Sequence, residues 1–171
     1  MNIPADYTSI HLAWDKSSAA TAEAAAFAAR VIGGDTAYIS HGEIQTGLSR
    51  DTENWSPELG DLYAEDFTDL GSDRDLLLAR DRGGAMVGIA VLAWEETPRR
   101  RFAVLEDMAV APEQRSHGIG ALLIDAVQNR VKERGVEWLF LESGVRNDRA
   151  HAFFERCGFI MTSHVFARRL E

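Results

Sequence analysis

The sequence predicts an α/β (α+β) fold, a mixed and mostly antiparallel central sheet with helices on both faces. Three observations lead there. Apolar residues recur at helical spacing before residue 72. Strand-like segments then follow one another across short turns. A long helical pattern separates the last of these from a further strand. The resulting order, β-α-α-β-β-β-α-β-α-β, fits one domain over 1–171.

Each element has its own signal. Ile10–Trp14 reads as a short first strand. Ser17 or Ser18 can cap a helix running to Gly33-Gly34, with Ala24, Phe27, Ala28 and Val31 on one face. Gly42 and Gly47 make Thr36–Asn54 read as irregular. Ser56 at the N-cap and Pro57 at the first helical position open a second helix. Its stripe is Leu59, Leu62, Tyr63, Phe67 and Leu70, and Gly71 ends it. Leu76–Arg80, a turn at Asp81–Gly84 and Met86–Trp94 form an antiparallel hairpin. Thr97-Pro98 turns the chain into a third long strand, Phe102–Val110.

Gly118 opens a helix carrying Ile119, Leu122, Leu123, Ala126, Val127 and Val131, closed near Arg134-Gly135. Trp138–Glu142 reads as a buried strand, and the intervening helix implies that it runs parallel to Phe102–Val110. Asp148–Cys157 is a short helix capped by Asn147 and ended by Gly158. Phe159–Glu171 is expected to hold one or two closing strands.

Composition narrows the function. At 171 residues the chain suffices for one full core, and 46% hydrophobic with 26% charged residues is ordinary for a globular protein. No apolar run approaches the roughly 18–20 residues of a membrane span. Ala19–Ala29 contains Glu23 and has no basic segment before it, so it reads as a helix rather than a leader. The lone Cys157 cannot form an intrachain disulfide, which fits a cytoplasmic location. Net charge is −9, all of it within residues 1–100, which argues against nucleic-acid binding. Nine acidic residues lie between Asp51 and Asp75 against Arg74 alone, either a solvated helix face or a surface that attracts cations. The five histidines are scattered without metal-ligand spacing, so no metal site is expected.

The junction Val110–Gly120 is strand, tight loop, helix start. Backbone N–H groups at such a helix N-terminus can bind phosphate oxygens. Gly118 and Gly120 allow close approach, and Arg115 can add a charge-assisted contact. Taken alone, this RxxGxG pattern fits a plain helix-entry turn equally well. It is neither a P-loop nor a dinucleotide fingerprint.

The flanking residues add to it. Leu105-Glu-Asp-Met-Ala-Val110 with Pro112, Arg115–Ala121, and Asn147-Asp-Arg-Ala-His-Ala-Phe153-Phe-Glu-Arg-Cys-Gly-Phe159 occur in this order. Together they resemble the GNAT superfamily of acyl-CoA-dependent N-acetyltransferases, well over about residues 75–171 and loosely before that. The resemblance implies the GNAT acyl-CoA N-acyltransferase fold, with 1–72 as acceptor-side helices and 73–171 as the CoA-binding core. It implies acetyl-CoA as cofactor, its pyrophosphate wrapped by Gln114, Arg115, Ser116, His117, Gly118, Ile119, Gly120 and Ala121. The backbone of Met108, Ala109 and Val110 would face the pantetheine amides, Asn147 would touch the cofactor, and the cofactor arm would enter a gap between the Phe102–Val110 and Trp138–Glu142 strands. Homodimers are common in that family.

Transfer to an amine needs a base, because an alkyl amine with a pKa near 10 is mostly protonated at neutral pH. Glu106 is the first candidate. By strand alternation it shares a face with Met108 and Val110, and Leu105-Glu106-Asp107 is similar to the corresponding strand of spermidine/spermine acetyltransferases. Asp107, expected on the opposite face, is the second candidate. The family's usual general acid is a tyrosine in the last helix, and here Phe154 occupies its place. His151 and Cys157 lie within one turn of it, although solvent exposure for the first and packing for the second are the plainer readings. A thiolate with a pKa around 8.5 can also leave unaided.

The acceptor expected from the acidic cluster is a small cationic amine or peptide amine. Two other functions fit the same sequence: a CoA-binding sensor with little transferase activity, and a protein N-terminal acetyltransferase.

Overall fold

A computed structural model describes residues 9–170. Five strands form one sheet in the order β1-β2-β3-β4-β5: β1 His11–Trp14, β2 Arg74–Arg80, β3 Met86–Thr97, β4 Arg100–Val110 and β5 Leu139–Leu141. The first three pairings are antiparallel and β4 with β5 is parallel. Five α-helices accompany them among the described residues: α1 Ser18–Val31, α2 His41–Thr46, α3 Leu59–Thr68, α4 Ile119–Glu133 and α5 Asp148–Arg156.

The two sheet faces bury different helices. On one face Leu76, Leu78, Ile89, Val91 and Ala109 pack against α1 and α3 through Ala24, Phe27, Tyr63 and Phe67. On the other, Leu77, Ala79, Ala90, Leu92, Ala103 and Leu105 pack against Ile119, Leu123 and Val127 of α4. Strand alternation makes this division, since successive side chains point to opposite faces. Asp75 is the buried charge of the α4 face. It accepts hydrogen bonds from Arg130 Nε at 3.1 Å and Trp94 Nε1 at 3.1 Å, and Arg134 lies at 3.4 Å.

Alternation slips once within β4. Leu92 opposes Leu105 and Val91 opposes Asp107, so Glu106 is an extra residue without a partner on β3. Before this bulge Ala103 and Leu105 face α4; after it Met108 and Val110 do, and Ala109 faces α1 and α3. Glu106 bonds Arg74, which shares its face with Leu76 and Leu78, so Glu106 and Asp107 both project toward α3. The expectation that Glu106 shares a face with Met108 and Val110, with Asp107 opposite, is thereby corrected.

Other boundaries differ for local reasons. Ser40 and Glu43 make a capping box that folds α2 inside the stretch expected to be irregular. Ser56 and Pro57 form a turn before α3 instead of its first residues; the N-cap is Glu58, with no side-chain cap. β5 is a short edge strand rather than a buried one, leaving Trp138 44% and Phe140 39% exposed. The closing strands expected over Phe159–Glu171 do not form over 159–170, and Glu171 lies outside the described residues.

Candidate active site

β4 and β5 pair only over Ala103–Leu105 and Leu139–Leu141. Past Leu105 the two strands part, and β4 continues to Val110 with no strand on that side among the described residues. The gap opens into a cleft of about 780 Å³. Its walls include Leu105–Val110, the loop into α4, the residues after β5, and the first turns of α5. Of the residues singled out by sequence, Glu106, Asp107, Met108, Ala109, Val110, Gln114, Arg115, Ser116, Gly118, Ile119, Gly120, Ala121, Asn147 and Phe154 all line it. His117 does not; it is exposed.

One end of the cleft suits an anionic group. Ser116 at φ 66° and Gly118 at φ 83° turn the loop sharply into α4, whose N-terminus carries no side-chain cap. The first N–H groups of the helix therefore lack intrahelical and side-chain partners, and the residues that carry them, Ile119 to Ala121, line the cleft. Gly120 is needed for space: a Cβ there would lie 3.0 Å from Phe153 Cζ. The Arg115 side chain is engaged elsewhere, donating from Nε to the Val110 carbonyl at 3.1 Å and from its guanidinium to the Tyr38 hydroxyl at 3.3 Å. It braces the loop against β4. Asn147 caps α5 by accepting from the Ala150 N–H at 3.3 Å while lining the cleft.

Charge gathers on the α3 side of β4. Arg74 clamps Glu106 with two bonds, Nε to Oε2 at 2.8 Å and a second to Oε1 at 3.1 Å. Among the described residues the Asp107 side chain receives no hydrogen bond and no ion pair, and the residue lines the cleft. Burial first, then the negative Glu43, Glu106 and Asp66, pushes its carboxyl up to about 7, with Arg74 opposing. Asp66 is also raised, chiefly by burial. A free carboxylate with a pKa near neutrality can take a proton from a substrate there.

At the α5 side the cleft is apolar. Phe154 packs edge-on against Phe153 and Phe159, with centroids 5.3 and 5.8 Å apart. Cys157 packs in the same cluster, and burial raises its thiol above the ordinary range. His151 does not line the cleft.

The chain after β5 is stitched across to the α2 region. Ser40 Oγ donates to Glu142 at 2.7 Å, His41 Nε2 lies 3.0 Å from the same carboxylate, and Arg146 donates to the Thr36 and Thr52 carbonyls. Of the acidic stretch Asp51–Asp75, Asp66 acts on Asp107 and Asp73 lies 3.4 Å from the Arg74 guanidinium. Asp51 caps its own loop and Asp75 is buried on the opposite sheet face. Tyr38, Glu43 and Arg74 near the site were not expected there from the sequence, and Asp66 only as one of the nine acidic residues from Asp51 to Asp75. The Ser40–Glu43 capping pattern could have placed Glu43 on a helix, and Arg74 stood out as the one cation in its stretch.

Comparison with known proteins agrees with this geometry. The model of the acetyltransferase (GNAT) family matches residues 43–159. A mycothiol acetyltransferase of Propionibacterium freudenreichii is 34% identical over 115 residues, 63% of this chain and 36% of that protein. The chain thus spans about a third of that relative's length. Among solved structures, a tetramutant of the BH1408 protein from Bacillus halodurans superimposes with TM-score 0.72 at 18% identity, over 94% of this chain and 99% of that one. An aminoglycoside N-acetyltransferase, AAC(6')-Iy, solved in complex with CoA, gives TM-score 0.68 at 15% identity over 94% of each chain. These structural likenesses establish the fold. With a family match across most of the sequence and the parted β4 and β5 strands beside an uncapped helix start, the chain belongs to the acetyltransferase (GNAT) family.

Proposed function

We propose that this protein moves the acetyl group of acetyl-CoA to the primary amine of a small cationic acceptor, by direct attack in a ternary complex. The observation that carries this is the position of Asp107, an unpaired carboxylate in the same cleft as the uncapped start of α4. When bound, acetyl-CoA supplies an activated thioester whose acetyl carbon the amine attacks, releasing the thiol.

The chain's residues divide the work. The N–H groups from Ser116 to Ala121 hold the pyrophosphate, and the β4 edge from Met108 to Val110 lies along the pantetheine arm. Asp107 takes the proton that the ammonium must lose, directly or through water. Glu106, the first candidate base by sequence, is held by Arg74 and orients the acceptor instead. Phe154 offers no proton, so the leaving thiolate takes one from solvent, and the attacking nitrogen loses its second proton to solvent as the amide forms. Glu43, Asp66, Glu106 and Asp107 against Arg74 leave the acceptor side negative, which favours a cation. The aminoglycoside acetyltransferase among the structural neighbours has a name consistent with such an acceptor.

Thiol release from acetyl-CoA across a panel of amines tests this. Turnover is expected with polyamines, aminosugars or basic peptide termini, and Asp107→Asn is expected to lower kcat about 10²–10⁴-fold. Glu106→Gln should act mainly on acceptor KM. Preference for anionic amines would sink the acceptor class. CoA binding without turnover on the whole panel would favour the sensor function.

A further inference from the structure

Among the described residues two buried side-chain polar atoms have no hydrogen-bond partner, Trp55 Nε1 and the Tyr63 hydroxyl. Tyr63 lies within α3, is 1% exposed, and meets the Phe67 ring edge-on with centroids 6.0 Å apart. It packs in the cluster that holds Leu76, Leu78, Val91 and Ala109 of the sheet. A phenylalanine would fill the same space without burying an unpaired O–H, which is an unfavourable placement. The hydroxyl needs an acceptor.

Asp107 is on that sheet face. Its ladder partner is Val91, and Ala109 is the next residue of β4 on the same side; both pack in the Tyr63 cluster. Asp107 lines the cleft and Tyr63 does not, so the phenol stands behind the carboxylate. The groups that act on the hydroxyl are Asp107 first, then Glu43 of α2, Asp66 of α3 and the Tyr38 phenol. Burial and these neighbours raise it above its ordinary range, so at neutral pH it is a donor. Glu43 is already engaged by the Ser40 N–H and hydroxyl at 2.7 Å each, and Asp66 is exposed. Glu106 is held by Arg74. Among these carboxylates Asp107 is the one that is both cleft-lining and without a hydrogen bond.

We propose that Tyr63 is a positioning residue for Asp107: its hydroxyl donates through one bound water to the carboxylate, and leaves the other oxygen aimed at the acceptor amine. A phenol and a carboxylate supply the polar partners that a buried water requires. The catalytic part rests on the acetyl-transfer reading; the pairing of the two side chains does not. Tyr63 keeps its own proton throughout, and the proton of the ammonium goes to Asp107. A donor to the ionised form favours it, as Arg74 does, and opposes Glu43, Glu106 and Asp66.

Tyr63→Phe removes one oxygen and keeps the ring. The rising limb of kcat/KM should move up by about one pH unit, which is an about tenfold weaker hold on the ionised form. KM for acetyl-CoA should stay within about twofold. Folding gives a readout that needs no turnover. At pH 4 folded Asp107 is protonated and takes no donor, whereas at pH 9 it is ionised. Tyr63→Phe should therefore lower the folding equilibrium constant about tenfold more at pH 9 than at pH 4. That difference should vanish in an Asp107→Asn background. Equal losses at both pH values, or a pH-dependent loss that persists with Asp107→Asn, would overturn the pairing. A pairing seen in folding beside an unmoved limb would overturn the positioning role. A limb that survives Asp107→Asn would instead defeat Asp107 as the base, a failure the folding measurement keeps separate.

Discussion

Glu106 and Asp107 are consecutive residues whose side chains leave β4 on the same face, because Glu106 has no partner between the Leu92–Leu105 and Val91–Asp107 pairs. Arg74 takes the first and leaves the second free. One bulge thus converts an alternating pair into a held carboxylate beside an unpaired one.

The pH profile follows from this division. Asp107 accepts a proton only when ionised, so kcat/KM should rise with pH through about 7. Asp107→Asn should remove that limb along with most of the rate. Arg74→Met takes away the cation that holds the Asp107 carboxyl down, so the limb should move to higher pH. A rate profile between pH 5 and 9 for the three proteins checks both points. An unmoved limb in Arg74→Met would mean that another group titrates.

Stability should respond with the opposite sign. The folded carboxyl of Asp107 is raised from 3.8 to about 7. Below pH 3.8 both states are protonated and Asp107 costs nothing. Between those values the unfolded chain ionises first, so the cost to the fold grows, and above about 7 it is constant. Asp107→Asn should therefore equal the parent near pH 4. It should be more stable at pH 8 by roughly 1–2 kcal/mol, a figure reduced from the full linkage value because the group borders the cleft. Denaturant midpoints at the two pH values measure the difference.

Gly120 separates α4 from α5. An added Cβ would meet Phe153 at 3.0 and 3.2 Å and Met108 at 3.6 Å, so the Phe153 ring, which lines the cleft, must give. Gly120→Ala should raise KM for acetyl-CoA about tenfold, equivalent to about 1.4 kcal/mol of binding. Saturating kcat should stay within about twofold if chemistry at Asp107 is undisturbed. Equilibrium binding of CoA to the variant gives an independent reading.

Asp75 holds the opposite face. Its carboxylate meets Arg130, Arg134 and Trp94, while Arg130 covers the Trp14 ring at 4.7 Å and Arg134 the Trp94 ring at 4.1 Å. Asp75→Ala leaves two arginines and an indole N–H without their acceptor. Because both arginines are partly exposed, the expected loss is about 2 kcal/mol rather than that of a dry buried pair. Tm should fall by roughly 4–8 °C for a chain of this size, with KM values unchanged.

Much of the architecture was legible because its signals are local. The α1 stripe and the α4 stripe each recur at helical spacing, the Asp81–Gly84 turn joins β2 to β3, and Asn147 caps α5 as expected. The bulge left a trace too. Leu105 and Met108 are three apart where alternation demands an even step, although both pack toward α4. The trace was missed because two charged residues lie between them and hide the change of parity. The closing strands expected over Phe159–Glu171 are absent over 159–170 for another reason: the apolar residues suit a strand, but among the described residues no strand of the sheet pairs with this segment.

The sequence by itself determined the order of most elements, the loop from Gln114 to Ala121 and the family, since these rest on short-range periodicity and on motifs with fixed spacing. Only the tertiary structure decided which carboxylate is free. Glu43, Asp66, Arg74 and Asp107 come from α2, α3, β2 and β4, and their mutual fields exist only once those elements pack. The register of β4 against β3 is likewise set by a neighbouring strand rather than by β4 alone. Electrostatics and register are long-range in the chain and short-range in space, so the side chain that can accept a proton became identifiable only in the fold.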